Sequence, residues 1–391
     1  MGFYRENELY DGISVRSHVN VFIVSLCFYL PSTAMLPAFF YYLFPFLLFF
    51  IGAIESKDKK IATGTIFLLS LSLIFSLSSL FLFFGDINFR DNFLPIQISL
   101  LFSFFCALYL NEKVAKFLIL FILFEIVCGY IQYLLGIKSF FSTSQGSGYE
   151  SELLYYNRVF GLSNNSSSFA GNALIALVLF ELYFANKIKL SLKLLFYTMV
   201  LFALVVSFSR SGLVAFFAYF LLFALKALKN KNVLIGIMVF SLIALALMLF
   251  YDLSGVFDQF TRGKGQVEIS GRDIIWSKYI QVAMDNFFLG NFGFRDYLSF
   301  DLYGKMHAHN SYLMIFYIVG GVSWLLLFLP LSILLLLRNK KLFVLMPLLI
   351  YSAAQYFLFW GASLADITFF AVLLSRMSEP DDLINVNSTK S

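Results

Sequence analysis

The stretch Val19–Ile54, VNVFIVSLCFYLPSTAMLPAFFYYLFPFLLFFIGAI, holds no lysine, arginine, aspartate or glutamate, and its reading decides the fold. As a single helix it would run about 54 Å at ~1.5 Å per residue, against a bilayer hydrocarbon core of ~30 Å. It must therefore break. Pro31 and Pro37 bracket Ser32-Thr33, and proline removes a helix hydrogen bond and clashes with the preceding turn, so two short spans are expected to meet there. The rest of the chain repeats the pattern. Of 391 residues 60% are hydrophobic and 13% charged, with a mean hydropathy of +0.83, which is too apolar for a water-soluble domain. The sequence predicts an all-α polytopic integral membrane protein.

After the charged loop Glu55–Lys60, spans are expected at about 61–84, 92–110, 114–137, 168–185, 193–208, 212–228 and 233–251. Three more follow at about 311–337, 342–358 and 362–376, for roughly twelve in one transmembrane domain over residues 1–391. No cleavable leader is evident ahead of the first span. Starting from a cytoplasmic N-terminus, 14 of the 18 lysines fall inside, as the positive-inside rule requires, and both termini are cytoplasmic. Six of the ten arginines, Arg90, Arg158, Arg210, Arg262, Arg272 and Arg295, fall outside. Lysine suffices for topology, whereas the planar arginine fork grips phosphate and carboxylate at two points. Outer arginines thus hint at an anionic ligand, although each could also pair with a lipid phosphate or a nearby carboxylate.

The net charge of +5 is spread through short loops, which excludes a nucleic-acid partner. Cys27, Cys106 and Cys128 lie inside apolar runs with neither metal nor disulfide spacing. The C-terminal 379–391 reads as a short polar cytoplasmic tail. Two outer loops are long enough to fold, 138–168 and 252–309.

Most of the chemistry lies in and beside the second. Ser270 and Asp273 have capping-box spacing, so a helix is expected from Gly271, with Ile275, Tyr279, Val282, Ala283 and Phe287 on one face. That amphipathic helix would lie in the outer membrane interface with Ser277, Lys278, Gln281 and Asp285 toward water. Arg272 would sit in its first turn, beside free N–H groups suited to phosphate. An ordinary surface helix with a lipid-facing arginine fits the same residues. Arg210, in Ser207-Phe208-Ser209-Arg210-Ser211-Gly212, stands between two spans with almost no loop. A charge so placed calls for a ligand, a carboxylate or the lipid headgroups. His309, before Asn310 at the start of a span, suits proton transfer, and the helix dipole there disfavours its charged form. A metal bound by His307 and His309 would lack further histidine or cysteine ligands on that side. In the first loop, Arg158-Val159-Phe160-Gly161-Leu162-Ser163-Asn164-Asn165 leads into a span that its asparagines and serines can cap. The same groups would also suit a sugar.

Taken together, Arg158-x-x-Gly161 with Asn164-Asn165, Ser209-Arg210-Ser211-Gly212, Gly271-Arg272 with Trp276, Gly290-x-x-Gly293, and His309-Asn310 followed by Gly320 resemble the O-antigen ligase/polymerase superfamily. It includes Wzy-type polymerases and WaaL-type ligases. The resemblance implies a glycosyltransferase C-like fold with a large periplasmic loop, in the bacterial inner membrane. It implies a metal-independent, cofactor-free, inverting transfer on the periplasmic side, with an undecaprenyl-diphosphate-linked oligosaccharide as donor and, in a polymerase, as acceptor too. A chain-length regulator protein is an implied partner. By the same resemblance His309 is the base, and Arg210 and Arg272 hold the pyrophosphate, with Arg158 and Asn310 as further binding residues. Asn164-Asn165-Ser166 departs from the proline-asparagine often found after the Arg-x-x-Gly element. Three functions compete: polymerase, ligase to a lipid A core, and a lipid-linked oligosaccharide transporter. A transporter would not require the folded outer loop, and the chain lacks the two related halves many transporters show.

Overall fold

The computed structural model describes residues 18–36, 43–44, 46–48, 95–141, 158–227, 272–301, 304–337 and 339–375. The expected spans at 61–84 and 233–251 lie outside them, as do Ser270, Gly271, the tail, and all but fragments of the second half of Val19–Ile54. Among the described residues the helices are α1 (His18–Tyr29), α2 (Ile96–Ala107), α3 (Glu112–Leu135), α4 (Ser166–Tyr183), α5 (Leu190–Val206), α6 (Arg210–Ala227), α7 (Arg272–Asp285), α8 (Ser311–Leu337), α9 (Asn339–Ala354) and α10 (Leu364–Leu374). A short antiparallel hairpin, β1 (Leu298–Phe300) with β2 (Gly304–Met306), lies between α7 and α8. Residues 112–135, 166–183 and 311–336 are long and apolar enough to cross a membrane, and five described helices are shorter and apolar. The protein is thus a helical membrane protein, and the twelve-span count runs into residues outside the described set.

The break forecast near Pro31 is present. Helix α1 stops at Tyr29, a 3-10 turn covers Leu30–Ser32, and Thr33 is extended. Helix α3 is bounded by local chemistry: the Asn111 side chain accepts from the Val114 N–H at 3.1 Å, and Gly136 ends it in the left-handed conformation. Asn165 caps α4 in the same way, accepting from Ser168 N–H at 2.8 Å, which is the capping role expected of that cluster. From Phe169 to Phe180 every residue of α4 is buried, so this helix is the centre of the bundle. Helices α3, α5, α6, α9 and α10 pack around it.

Helix α7 corrects one expectation. Ile275, Tyr279 and Ala283 are its buried face, but they pack on protein, chiefly on α8, and not into lipid. Its outward residues mix polar groups with Ile274, Ile280 and Met284. Phe287 lies beyond the helix end, in a turn that reaches Gly293. That turn fills a break in α8. Gly320 has φ 80 and ψ 161 inside an otherwise helical run. The carbonyls released are taken by the turn: Asn291 N–H donates to Tyr317 O (3.0 Å), Gly293 N–H to Ile318 O (2.9 Å), and Gly321 N–H returns to Phe287 O (2.6 Å). A Cβ on Gly290 would lie 2.2 Å from the Gly320 nitrogen, so the backbones touch where only glycine fits.

Candidate active site

Helix α7 and the hairpin hold the histidine segment by donors aimed at its backbone. Trp276 Nε1 donates to Ala308 O at 2.6 Å and Tyr279 Oη to Met306 O at 2.7 Å, while Tyr279 Oη accepts from Leu298 N–H at 3.1 Å. His309 itself adopts a left-handed backbone, φ 49, a conformation that costs a non-glycine residue of order 1 kcal/mol and is kept only where the surroundings enforce it. The residue that caps α8 is Asn310, whose Oδ1 accepts from Leu313 N–H at 3.0 Å; His309 stands one position outside the cap.

The two imidazoles lie 4.0 Å apart between ring centroids. His309 N–H donates to His307 Nδ1 at 3.1 Å, which requires that nitrogen to be unprotonated. Burial, then the His307 ring and the Arg272 guanidinium, push His309 down to about 3, with a Gln355 hydrogen bond opposing. Burial and Arg272 likewise push His307 down to about 4. Both are neutral at pH 7, and His309 keeps a buried Nδ1 without a hydrogen-bond partner among the described residues.

Gln355 was not foreseen, and neither was Tyr351 one turn before it. Ser311, at the start of α8, fixes the Gln355 region by donating to its carbonyl at 3.0 Å and accepting the N–H groups of Phe357 and Leu358. Tyr351 is fully buried and donates to Ser167 O at 2.6 Å. Its hydroxyl also bonds the Ser209 side chain and lies within the electrostatic reach of Arg272 and Arg158. Ser209 precedes Arg210, the first residue of α6, and its Oγ accepts from Gly212 N–H at 3.2 Å. Phe208, before it, is left-handed at φ 49. Val159 N–H joins the same turn through Val206 O. The structure thus brings Arg158, the Ser209-Arg210 turn and Arg272 around Tyr351, and Arg272 beside His307 and His309. Arg158, Arg210, Arg272 and both histidines are half-buried. Two polar residues four apart at the end of an apolar run, Tyr351 in the last turn of α9 and Gln355 just past it, were the available signal. Among the described residues no group of three His, Cys, Asp or Glu could hold a metal ion.

Residues 194–328, from α5 into α8, match the family described as O-Antigen ligase. This match, over about a third of the chain, supports the resemblance to the O-antigen ligase/polymerase superfamily. No curated protein and no solved structure matches the chain. The matched segment contains Arg210, Arg272, His307 and His309, with α7, the hairpin and the Gly290–Gly320 contact. Arg158, Tyr351 and Gln355 lie outside it.

Proposed function

We propose that the protein is a surface-polysaccharide polymerase of the inner membrane, working on the periplasmic side. It would move a growing glycan from undecaprenyl diphosphate onto the terminal sugar of a new lipid-linked repeat unit. The observation that carries this reading is a half-buried histidine, held neutral chiefly by burial, within the electrostatic reach of Arg272. In the proposed step an acceptor hydroxyl attacks the anomeric carbon from the face opposite the diphosphate. The C–O bond to the diphosphate breaks and inverts the centre, and the hydroxyl proton passes to His309. Negative charge then gathers on the leaving group, where Arg272, Arg210 and Arg158 supply positive charge that needs no reorganisation. Helices α6 and α7 both begin at an arginine, which adds the positive ends of their dipoles. A bound diphosphate would offset the Arg272 contribution, which ranks after burial and the His307 ring, and so raise the basicity of His309 in part.

The family description favours a second reading, a ligase that passes the glycan to a lipid A core with the same donor chemistry. Deletion of the gene separates the two on a gel of surface glycan. A single repeat unit still attached to its anchor means polymerase, and no glycan attached means ligase. Loss of surface polymer with lipid-linked units held on the inner side would instead mean transport. His309→Ala and Arg272→Ala should each lower polymer formation by more than about 100-fold while leaving the protein in the membrane. Normal polymer from both would remove the proposed site.

A further inference from the structure

A second polar cluster lies deeper in the protein, under the Arg158 loop. Glu125 is fully buried at mid-length in α3, ten residues before Leu135 and thus about 15 Å below the end of that helix at ~1.5 Å per residue. Only donors surround it. Tyr29 Oη reaches Oε2 at 3.0 Å, Ser163 Oγ reaches Oε1 at 2.6 Å, Asn172 Nδ2 reaches Oε2 at 3.1 Å, and the Leu162 N–H is a fourth. Asn172 also bonds Ser163 Oγ at 3.1 Å and Ser32 Oγ at 3.3 Å, so α1, its terminal turn, α3, α4 and the loop share one network. One turn pair higher, Gln132 clamps Gly161 twice, donating to its carbonyl at 2.7 Å and accepting its N–H at 2.9 Å. Gly161 is left-handed, φ 60, and a Cβ there would meet the Phe169 ring at 2.6 Å and Glu125 Cγ at 2.9 Å.

A carboxyl group at this depth is costly, and irregular backbone is tolerated there only when protein satisfies it. Here each solves the other's problem. The loop's N–H and hydroxyl occupy the carboxylate, and the carboxylate lets residues 158–165 dip into the bundle. A glutamine is a poorer fit, because its NH2 would compete with the Asn172 and Leu162 N–H donors that two carboxylate oxygens can accept together.

We propose that Glu125 is a positioning residue that holds the re-entrant 158–165 loop and so aims Arg158 at the diphosphate of the lipid-linked donor. This rests on the glycosyl-transfer reading above. Glu125 touches no substrate; its effect on binding runs through Arg158 alone.

The test is a double-mutant cycle on purified protein, with a fluorescent polyprenyl diphosphate as the probe and its dissociation constant as the readout. Glu125→Gln and Arg158→Ala should each weaken binding about 10-fold. The double variant should also sit near 10-fold and not near 100-fold, because the first change has already removed what the second takes away. Independent effects that multiply, or unchanged affinity in Glu125→Gln, would overturn the proposal. Should Glu125→Gln not run as a monodisperse species on gel filtration, Gln132→Ala and Ser163→Ala enter the cycle in its place with the same expectation. Retained activity in His309→Ala and Arg272→Ala would remove the site itself. Loss of activity there, with multiplicative effects at 125 and 158, would remove only this inference.

Discussion

Two stretches bring arginine toward the same tyrosine by opposite means. Residues 158–165 are held from below, by side chains of α3 that grip the loop's backbone and hydroxyl inside the bundle. Residues 272–309 are held from the side, by their own tryptophan and tyrosine donating to their own carbonyls, and by a turn wedged into a broken helix. The first depends on the bundle around it. The second is nearly self-contained, so damage to it should stay local and reach the histidines before it reaches the fold.

The largest test of that contrast is Gly290→Ala. The new methyl would meet backbone at 2.2 Å, and Gly290 also has φ 57, so the turn must leave α8. Activity should fall more than about 100-fold at a local cost of about 2 kcal/mol or more, while limited proteolysis still finds α3 to α6 protected. Global loss of protection would mean that the second stretch is not self-contained. A smaller effect is expected from Trp276→Phe, which leaves the buried Ala308 carbonyl without its donor. The cost is on the order of 1 kcal/mol, or roughly 10-fold in kcat with KM little changed, since the histidine shifts and the arginines do not. A rise in KM alone would place Trp276 on the binding side of the site.

The smallest and most diagnostic effect concerns pH. With His309 held near 3 in the free protein, kcat/KM should stay flat from about pH 8 to about pH 5, without the inflection near 6.5 of an ordinary histidine. Stability carries the matching sign. The folded histidines bind fewer protons than the unfolded chain below about 6.5, so their contribution is complete above that pH and is lost as pH falls toward 3 to 4. His309→Ala should flatten that acid decline, as urea titrations at pH 4.5 and 7.5 would measure.

Much of this was legible in residues that contradict their surroundings. Pro31 in an apolar run forecast a break, and Arg210 and Arg272 stood out because charge is rare in such a chain. The face of α7 was legible from periodicity, but periodicity says that a face is buried and not what buries it, so its partner was misread as lipid. Glu125 was legible as a lone carboxylate between Phe124 and Ile126 in an apolar run. Tyr351 and Gln355 were harder, because their meaning depends on which way α9 is rotated, and an apolar helix with little periodic contrast does not reveal that. The Gly290 and Gly320 pair is tertiary in origin. Thirty residues apart in sequence, neither announces the other.

That pair also bears on how the chain is made. A helix broken at Gly320 presents two unbonded carbonyls to whatever surrounds it, and in lipid each would be expensive. The groups that cover them, Asn291 and Gly293, come earlier in the chain and are synthesised first. The order of elements along the chain therefore makes the cover before the broken helix, and a permuted chain that placed 286–293 after α8 would have to insert that helix before its cover exists.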